Sequence, residues 1–281
     1  MLDKITPLIL TYNEAPNIRR TLEQLRWASD IVVVDSFSSD ETAEIVSSFP
    51  NTRLIQRTFD SFANQCNFGI TDAGIQTEWV LSLDADYVLT EELVEELKSL
   101  AADFEVAGYR ARFLYCINGR PLRSGLYPPV TVLFRRSRAH YVDDGHAHRV
   151  TIDGATANLR SHILHDDRKS LNVWFQSQSR YADLEARKLL ASDRRDLAWT
   201  DRIRRWRCVA PLAMPLYCLI IRGGFLDGWA GWYYAFQRTL AEMMLSLNLI
   251  EHDLGFPGKR RRNAFALPEP HSKILDAHSR D

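Results

Sequence analysis

The chain has 281 residues, 46% of them hydrophobic, and its 35 basic and 36 acidic residues leave a net charge of −1. That length and apolar content are enough for one large domain, or a domain with a substantial appendage, and exclude disorder throughout. A balanced charge exerts no global pull on nucleic acid, so DNA binding is disfavoured and any electrostatic targeting has to come from local clusters.

The amino-terminal stretch MLDKITPLILTYNEA has neither a basic leader nor a long apolar segment with a cleavage site, so no export signal is expected. Residues 5–12, ITPLILTY, read as a strand that runs into Asn13 and Glu14, and Pro16 suits the first turn of a helix carrying Ile18, Leu22 and Leu25 at helical spacing. IVVVD, residues 31–35, is a second strand, followed by SSDETAEIVSSF, a helix with a capped start and acids in its first turn. TRLIQR gives a third strand, SFANQCNFGITDA a helix with Phe62, Cys66 and Ala73 on one face, and WVLSLD, residues 79–84, a fourth strand. A further helix opens at Thr90 with Glu91 and Glu92 behind it.

Strands alternating with helices imply an α/β, doubly wound and mostly parallel sheet, and runs as apolar as IVVVD fit burial on both faces. Ligands of such sheets bind beyond the carboxyl ends of the strands, where Asn13, Asp35 and Asp84 fall. From residue 106 the segments VAGYRARFLYCING, TVLFRR and ATANLRSHILH read as additional strands with turns at Gly119 and Gly154. From Leu171 to about Leu254 the chain reads as a helical appendage rich in Trp, Tyr and Arg, and from GKRRRNAF onward as a loose tail. The longest apolar run, VAPLAMPLYCLII, has 13 residues and two prolines, and so falls short of the roughly 20 that a simple spanning helix needs. Cys66, Cys116, Cys208 and Cys218 show no CxxC spacing, which suits a reduced setting and argues against zinc.

The apolar strand WVLSLD ends on two carboxylates, Asp84 and Asp86. At an extended strand end, residues i and i+2 point the same way, which suits a hard divalent cation held by one or two carboxylates together with substrate phosphates. The same residues could simply cap the helix at Thr90.

Three stretches add to this. LILTYNEAPNI follows the first strand, VVVDSFSSDET the second and LSLDADYVL the fourth; together they resemble the inverting family 2 glycosyltransferases of the GT-A fold, over roughly residues 5–170. The resemblance implies a catalytic domain over 1–170, with nucleotide-sugar binding to about 105 and the acceptor part from about 106, and a helical region over 171–281. It implies Mg2+ or Mn2+ at a DxD motif formed by Asp84 and Asp86, with His165 in SHILHDDRKSL as a third metal ligand or diphosphate contact. Thr11, Tyr12, Glu14 and Asp35 would then face the base and ribose, Asp84 the ribose or a metal-bound water, and Arg57, Gln65 and Asn67 the nucleotide pocket.

Inverting transfer needs a base for the acceptor hydroxyl. The candidate lies in HYVDDGHAHRV: Asp144, with Asp143 and His146 in reserve. Relatives carry a His-Glu pair nearby, where this chain has His148 and Arg149. The Gln-x-x-Arg-Trp element of processive synthases is absent from WFQSQSRYADLEARK, where Tyr181 stands in the Trp position, so transfer of a single sugar is favoured.

Residues 202–250 interleave arginines, Trp and Tyr with an apolar segment, a composition suited to a headgroup surface. Trp229, Trp232 and Tyr233 could instead be the core of a helical subdomain. GFLDGWAGWYYA looks like the carboxy-terminal element of bacterial transferases that build lipopolysaccharide core. The expectation is therefore a peripheral enzyme on the cytoplasmic face of the inner membrane that moves sugar from a UDP-sugar to a lipid-linked glycan. The alternatives are a sugar-phosphate nucleotidyltransferase, whose Gly-rich loop LTYNEAPN lacks, and a non-catalytic scaffold that binds nucleotide-sugar.

Overall fold

The computed structural model describes residues 1–100, 105–144, 147–193, 195 and 197–256, with the backbone alone for Asp144, Ala147 and His148. His146 and the GKRRRNAF tail lie outside the described residues.

The amino-terminal half alternates β1 (Ile5–Thr11), α1 (Ile18–Glu23), β2 (Ile31–Asp35), α2 (Thr42–Ser47), β3 (Thr52–Gln56), α3 (Phe62–Thr71) and β4 (Trp79–Asp84). A short β5 (Tyr87–Leu89) and α4 (Glu91–Ser99) follow, then β6 (Val106–Ile117), β7 (Arg120–Pro121), β8 (Val130–Arg135), β9 (Ala139–Asp144), β10 (Ala147–Ile152) and β11 (Ala155–His165). The main sheet runs β3-β2-β1-β4-β8-β6-β11-β5, with β7 paired to β6, while β9 and β10 form a separate two-stranded ribbon. The β3-β2-β1-β4 half is parallel and β6 pairs parallel with β11, whereas β8 runs antiparallel to both β4 and β6.

The apolar strands are buried on both sides. Ile31 and Val33 of β2 pack with Ile18, Leu22 and Leu25 of α1 and with Leu93 and Leu97 of α4. Val32 and Val34 face the opposite layer, with Ala63, Cys66 and Ile70 of α3. Thr90 caps α4 by accepting from Leu93 N at 3.2 Å, and Asp40 Oδ1 accepts from Thr42 N at 3.1 Å at the start of α2. Gly119 turns the chain with φ of 79°, a left-handed conformation that glycine adopts without a Cβ clash.

Two expectations change. Phe62 is not on the buried face with Cys66: it lies at the first turn of α3, is 36% exposed, and stacks edge-on against Phe59. Ala85 and Asp86 form a turn between β4 and β5, so strand alternation does not set the direction of the two acids.

The carboxy-terminal region holds α5 (Leu171–Ala191), α6 (Trp199–Arg204), α7 (Val209–Leu216) and α8 (Gly228–Asp253), with a π-helical turn at Tyr217–Ile221 and a 3-10 turn at Gly224–Asp227. Pro215 lies inside α7. The segments Val209–Ile221 and Gly224–Asp253 meet at 69°; no single helix among the described residues is long and apolar enough to cross a membrane, although this bent pair passes that test together.

Candidate active site

The carboxyl ends of β1, β2 and β4 lie side by side because the parallel register pairs Thr11 with Asp35 and Leu10 with Asp84. Asp35 is fully buried and satisfied: Oδ1 accepts from Thr11 Oγ1 at 2.8 Å and from Ser38 Oγ at 2.5 Å, and Oδ2 accepts from Ser38 N at 2.8 Å. Asn13 takes a left-handed φ of 53°, which lets its N–H reach Ser38 Oγ at 2.9 Å while its Oδ1 accepts from Ser39 N at 2.8 Å. Tyr12 beside it is exposed. Thr11 and Asp35 thus brace the first two loops from below, and Tyr12 lies on their outer surface.

Gln65 is buried and ties two of these loops together, donating from Nε2 to Ser36 Oγ at 2.9 Å and accepting from Arg57 Nη1 at 2.5 Å. Arg57 also clamps Asp60 through both carboxylate oxygens at 2.9 Å, which holds that acid well below its usual range. Asn67 is placed differently from the sequence expectation. Its side-chain amide pairs with the backbone of Tyr141, donating at 2.9 Å and accepting at 2.8 Å. It pins the β9–β10 ribbon to α3, because an edge strand needs a partner for its backbone groups.

At the turn after β4, His165 Nε2 lies 3.1 Å from Asp86 Oδ2. Burial works against the Asp86 carboxylate, but His165 and then Lys169 overcome it and hold its pKa below the ordinary value. His165 is raised in turn: burial would lower it, and Asp86 outweighs that. The imidazole is ringed by Tyr87, Tyr115 and Tyr127, with centroids at 5.3, 4.9 and 4.7 Å. Burial, with Asp84 next in effect, pushes the Tyr87 and Tyr127 phenols up.

Two carboxylates on a tight turn, supplemented by phosphate oxygens, are a donor set for Mg2+ or Mn2+. His165, the expected third ligand or diphosphate contact, presents Nε2 to Asp86. Its Nδ1 is buried without a hydrogen-bond partner.

Sequence reasoning missed the clamp beside this turn. Asn17, fully buried, donates to Glu14 Oε2 at 2.9 Å and Asp167 Oδ1 at 2.8 Å, and accepts from Arg168 N at 2.9 Å. Arg20 donates to Asp166 Oδ2 at 2.6 Å and Asp166 O at 2.8 Å, while Asp166 N donates to Asp86 O at 3.0 Å. Lys169 Nζ reaches Glu14 Oε1 at 2.5 Å. Burial pushes the Glu14 carboxyl up to about 7 despite Lys169, with Asp86 adding to the rise. Lys169 is held above its ordinary range because Glu14, Asp167 and Asp86 together outweigh its burial. The two shifts look opposed, since one favours neutral Glu14 and the other a charged pair. They are reconciled because Lys169 is shared among three acids and does not neutralise Glu14 alone. The charge density of HDDRK was visible in sequence, but its partners lie about 150 residues away, at the start of α1.

Of the three base candidates, Asp143 Oδ1 accepts from Ala63 N in the first turn of α3 at 3.1 Å. The Asp144 side chain and all of His146 lie outside the described residues. Burial, then Asp84 and Asp143, raises the Cys66 thiol. Tyr181 of α5 also feels Asp84 and Asp86, although its phenol is raised chiefly by burial.

The model of the family described as glycosyl transferase family 2 matches residues 8–163, more than half the chain. The lipopolysaccharide core biosynthesis glycosyltransferase LpsC of Rhizobium meliloti (strain 1021) is 26% identical over 260 residues, covering 83% of this chain and 89% of that protein. A glycosyltransferase of Rickettsia bellii (strain RML369-C) is 32% identical over 100 residues, about a third of each chain. Among solved structures, Staphylococcus aureus TarS 1-349 in complex with UDP-GlcNAc aligns over 90% of this chain and 92% of that one, with a TM-score of 0.48 and 14% identity. Glucosyl-3-phosphoglycerate synthase from Mycobacterium tuberculosis, in complex with Mn2+, UDP and phosphoglyceric acid, aligns over 68% and 80%, with a TM-score of 0.44 and 11% identity. The family match spans β1 to β11, the strands that build the site, and the chain belongs to glycosyl transferase family 2, enzymes of the GT-A fold.

Proposed function

We propose that this glycosyltransferase moves one sugar, with inversion, from a UDP-sugar to a hydroxyl of a lipid-linked envelope glycan such as lipopolysaccharide core, at the cytoplasmic face of the inner membrane. The observation that carries the reading is the turn of Asp84 and Asp86, closed by His165 and flanked by the loops of Thr11, Tyr12 and Asp35. Likeness to LpsC across most of both chains supports the class of acceptor.

In this reading Asp84 and Asp86 would hold Mg2+ or Mn2+, which would supply Lewis-acid stabilisation of the departing diphosphate. His165 fixes the Asp86 carboxylate in its ionised form, and the Asn17 and Arg20 clamp holds the turn in place. Tyr12 and the surrounding main chain take the base and ribose. Asp144 removes the acceptor proton, since its neighbour Asp143 is engaged at the α3 amide. The missing Gln-x-x-Arg-Trp element supports transfer of a single sugar.

The test is sugar transfer from UDP-sugars to envelope lipid extracts, beside UDP titration. Asp144→Asn should bind UDP as wild type does and lose transfer. Normal transfer by that variant would overturn the base assignment.

A further inference from the structure

Helix α8 is apolar on two faces. Ala230, Tyr234, Ala235, Leu245 and Leu249 are buried against the protein. Trp229, Trp232, Tyr233, Phe236, Met243 and Leu247 follow at helical spacing on another face, all exposed. A helix that only completes a soluble core would carry polar residues on that second face. The preceding segment repeats the pattern: Val209, Leu212, Leu216 and Ile220 fall at i, i+3, i+7 and i+11 and are exposed, with Leu212 at 73% and Trp229 at 86%.

Charge says what covers this surface. From Cys208 to Gln237 only Arg222 and Asp227 are charged. Asp227 is turned inward, its Oδ2 accepting from Ser124 N at 3.1 Å and Ser124 Oγ at 2.9 Å. Arg222 is exposed, and Arg202 and Arg205 flank the segment. Glu242, further along α8, is buried against Arg204, so an aliphatic and aromatic face with exposed Arg222 and no outward acid complements anionic headgroups over acyl chains.

The same element is fastened to the site. Leu126 N donates to Tyr234 Oη at 2.8 Å, and Arg222 Nη2 donates to Gly125 O at 3.2 Å. Tyr127, next in that loop, shares a 2.5 Å hydrogen bond with Tyr87 and packs on His165, which holds Asp86. The bend itself depends on close backbone approach, since a Cβ on Gly231 would collide with the carbonyl of Gly224.

We propose that the exposed face of residues 209–247 lies in the interface of an anionic bilayer and that the 124–127 loop fixes this face to the DxD turn, so that lipid-borne acceptors are presented to the site. This deepens the functional reading above and rests on it for the acceptor, but the lipid surface is tested without donor or turnover. The full chain is floated with vesicles of phosphatidylcholine, alone or mixed with phosphatidylglycerol. The mixed vesicles should carry the protein, and Leu212→Glu and Ile220→Glu, both at exposed positions, should cut partitioning roughly 10- to 100-fold with unchanged thermal melting. Wild type that stays in the aqueous layer, or variants that float equally, would overturn the proposal, as would sedimentation showing a dimer that the same variants dissociate. Asp227→Ala, which removes the acceptor of both Ser124 hydrogen bonds, tests the tie: it should float and bind UDP like wild type, yet lose transfer to lipid acceptor several-fold while a deacylated acceptor is used at the wild-type rate. Equal transfer to both acceptors would refute the coupling. If vesicles bind but no nucleotide does, the transferase reading fails while the membrane face stands.

Discussion

Replacing Glu14 by Gln isolates the electrostatics of the clamp. Burial raises the Glu14 carboxyl from its ordinary 4.5 to about 7, so between those values the folded protein binds a proton that the unfolded chain has released. Stability from this group is greatest below the unfolded pKa and falls as pH rises through the folded pKa. Integrated from pH 5 to pH 8, these two values give a loss of about 2.5 kcal/mol. Gln keeps a hydrogen-bonding side chain of the same size beside Asn17 and Lys169 but does not titrate. Urea unfolding of both proteins at pH 5 and pH 8 should therefore show wild type losing about 2 to 3 kcal/mol more than Glu14→Gln over that interval. Parallel pH profiles would refute the claim that burial raises the Glu14 carboxyl in the folded protein despite Lys169.

Two further substitutions probe neighbouring contacts. Arg20→Met removes the 2.6 Å contact to buried Asp166 and should cost about 2 kcal/mol in urea unfolding, moderated because Arg168 still reaches the same oxygen at 2.9 Å. A change under a few tenths of a kcal/mol would mean that the clamp is not structural. Asn67→Ala removes both hydrogen bonds to the Tyr141 backbone, so exchange of the Tyr141 amide should accelerate roughly 30-fold while UDP affinity is unchanged. A fall in UDP affinity with exchange unaltered would return Asn67 to the nucleotide pocket.

The parallel half of the fold was legible because its signals are local. IVVVD and WVLSLD coincide with β2 and β4, since continuous apolar runs between turn residues have few alternatives to a strand buried on both faces. The candidate loops followed, as strand ends in a parallel sheet must converge. What was not legible is pairing at long range. Nothing in HYVDDGHAHRV shows that β9 and β10 leave the main sheet and hang from Asn67. The roles of Asn17 and Asp166 depend on contacts across about 150 residues. His165 matched a motif, but its 3.1 Å approach to Asp86 across 79 residues is visible only in the fold. Whether Trp229, Trp232 and Tyr233 face outward or into a core was left open by the sequence, because periodicity does not show which side of a helix the protein covers.

The measurement closest to the central claim is calorimetric titration of UDP into the purified chain and its Asp86→Asn variant, each with Mn2+ and with chelator. The account predicts binding to wild type with Mn2+ that is lost in chelator and in the variant. Equal UDP binding in all four conditions, or no binding by folded wild type, would contradict a metal-assisted donor site at the turn of Asp84 and Asp86.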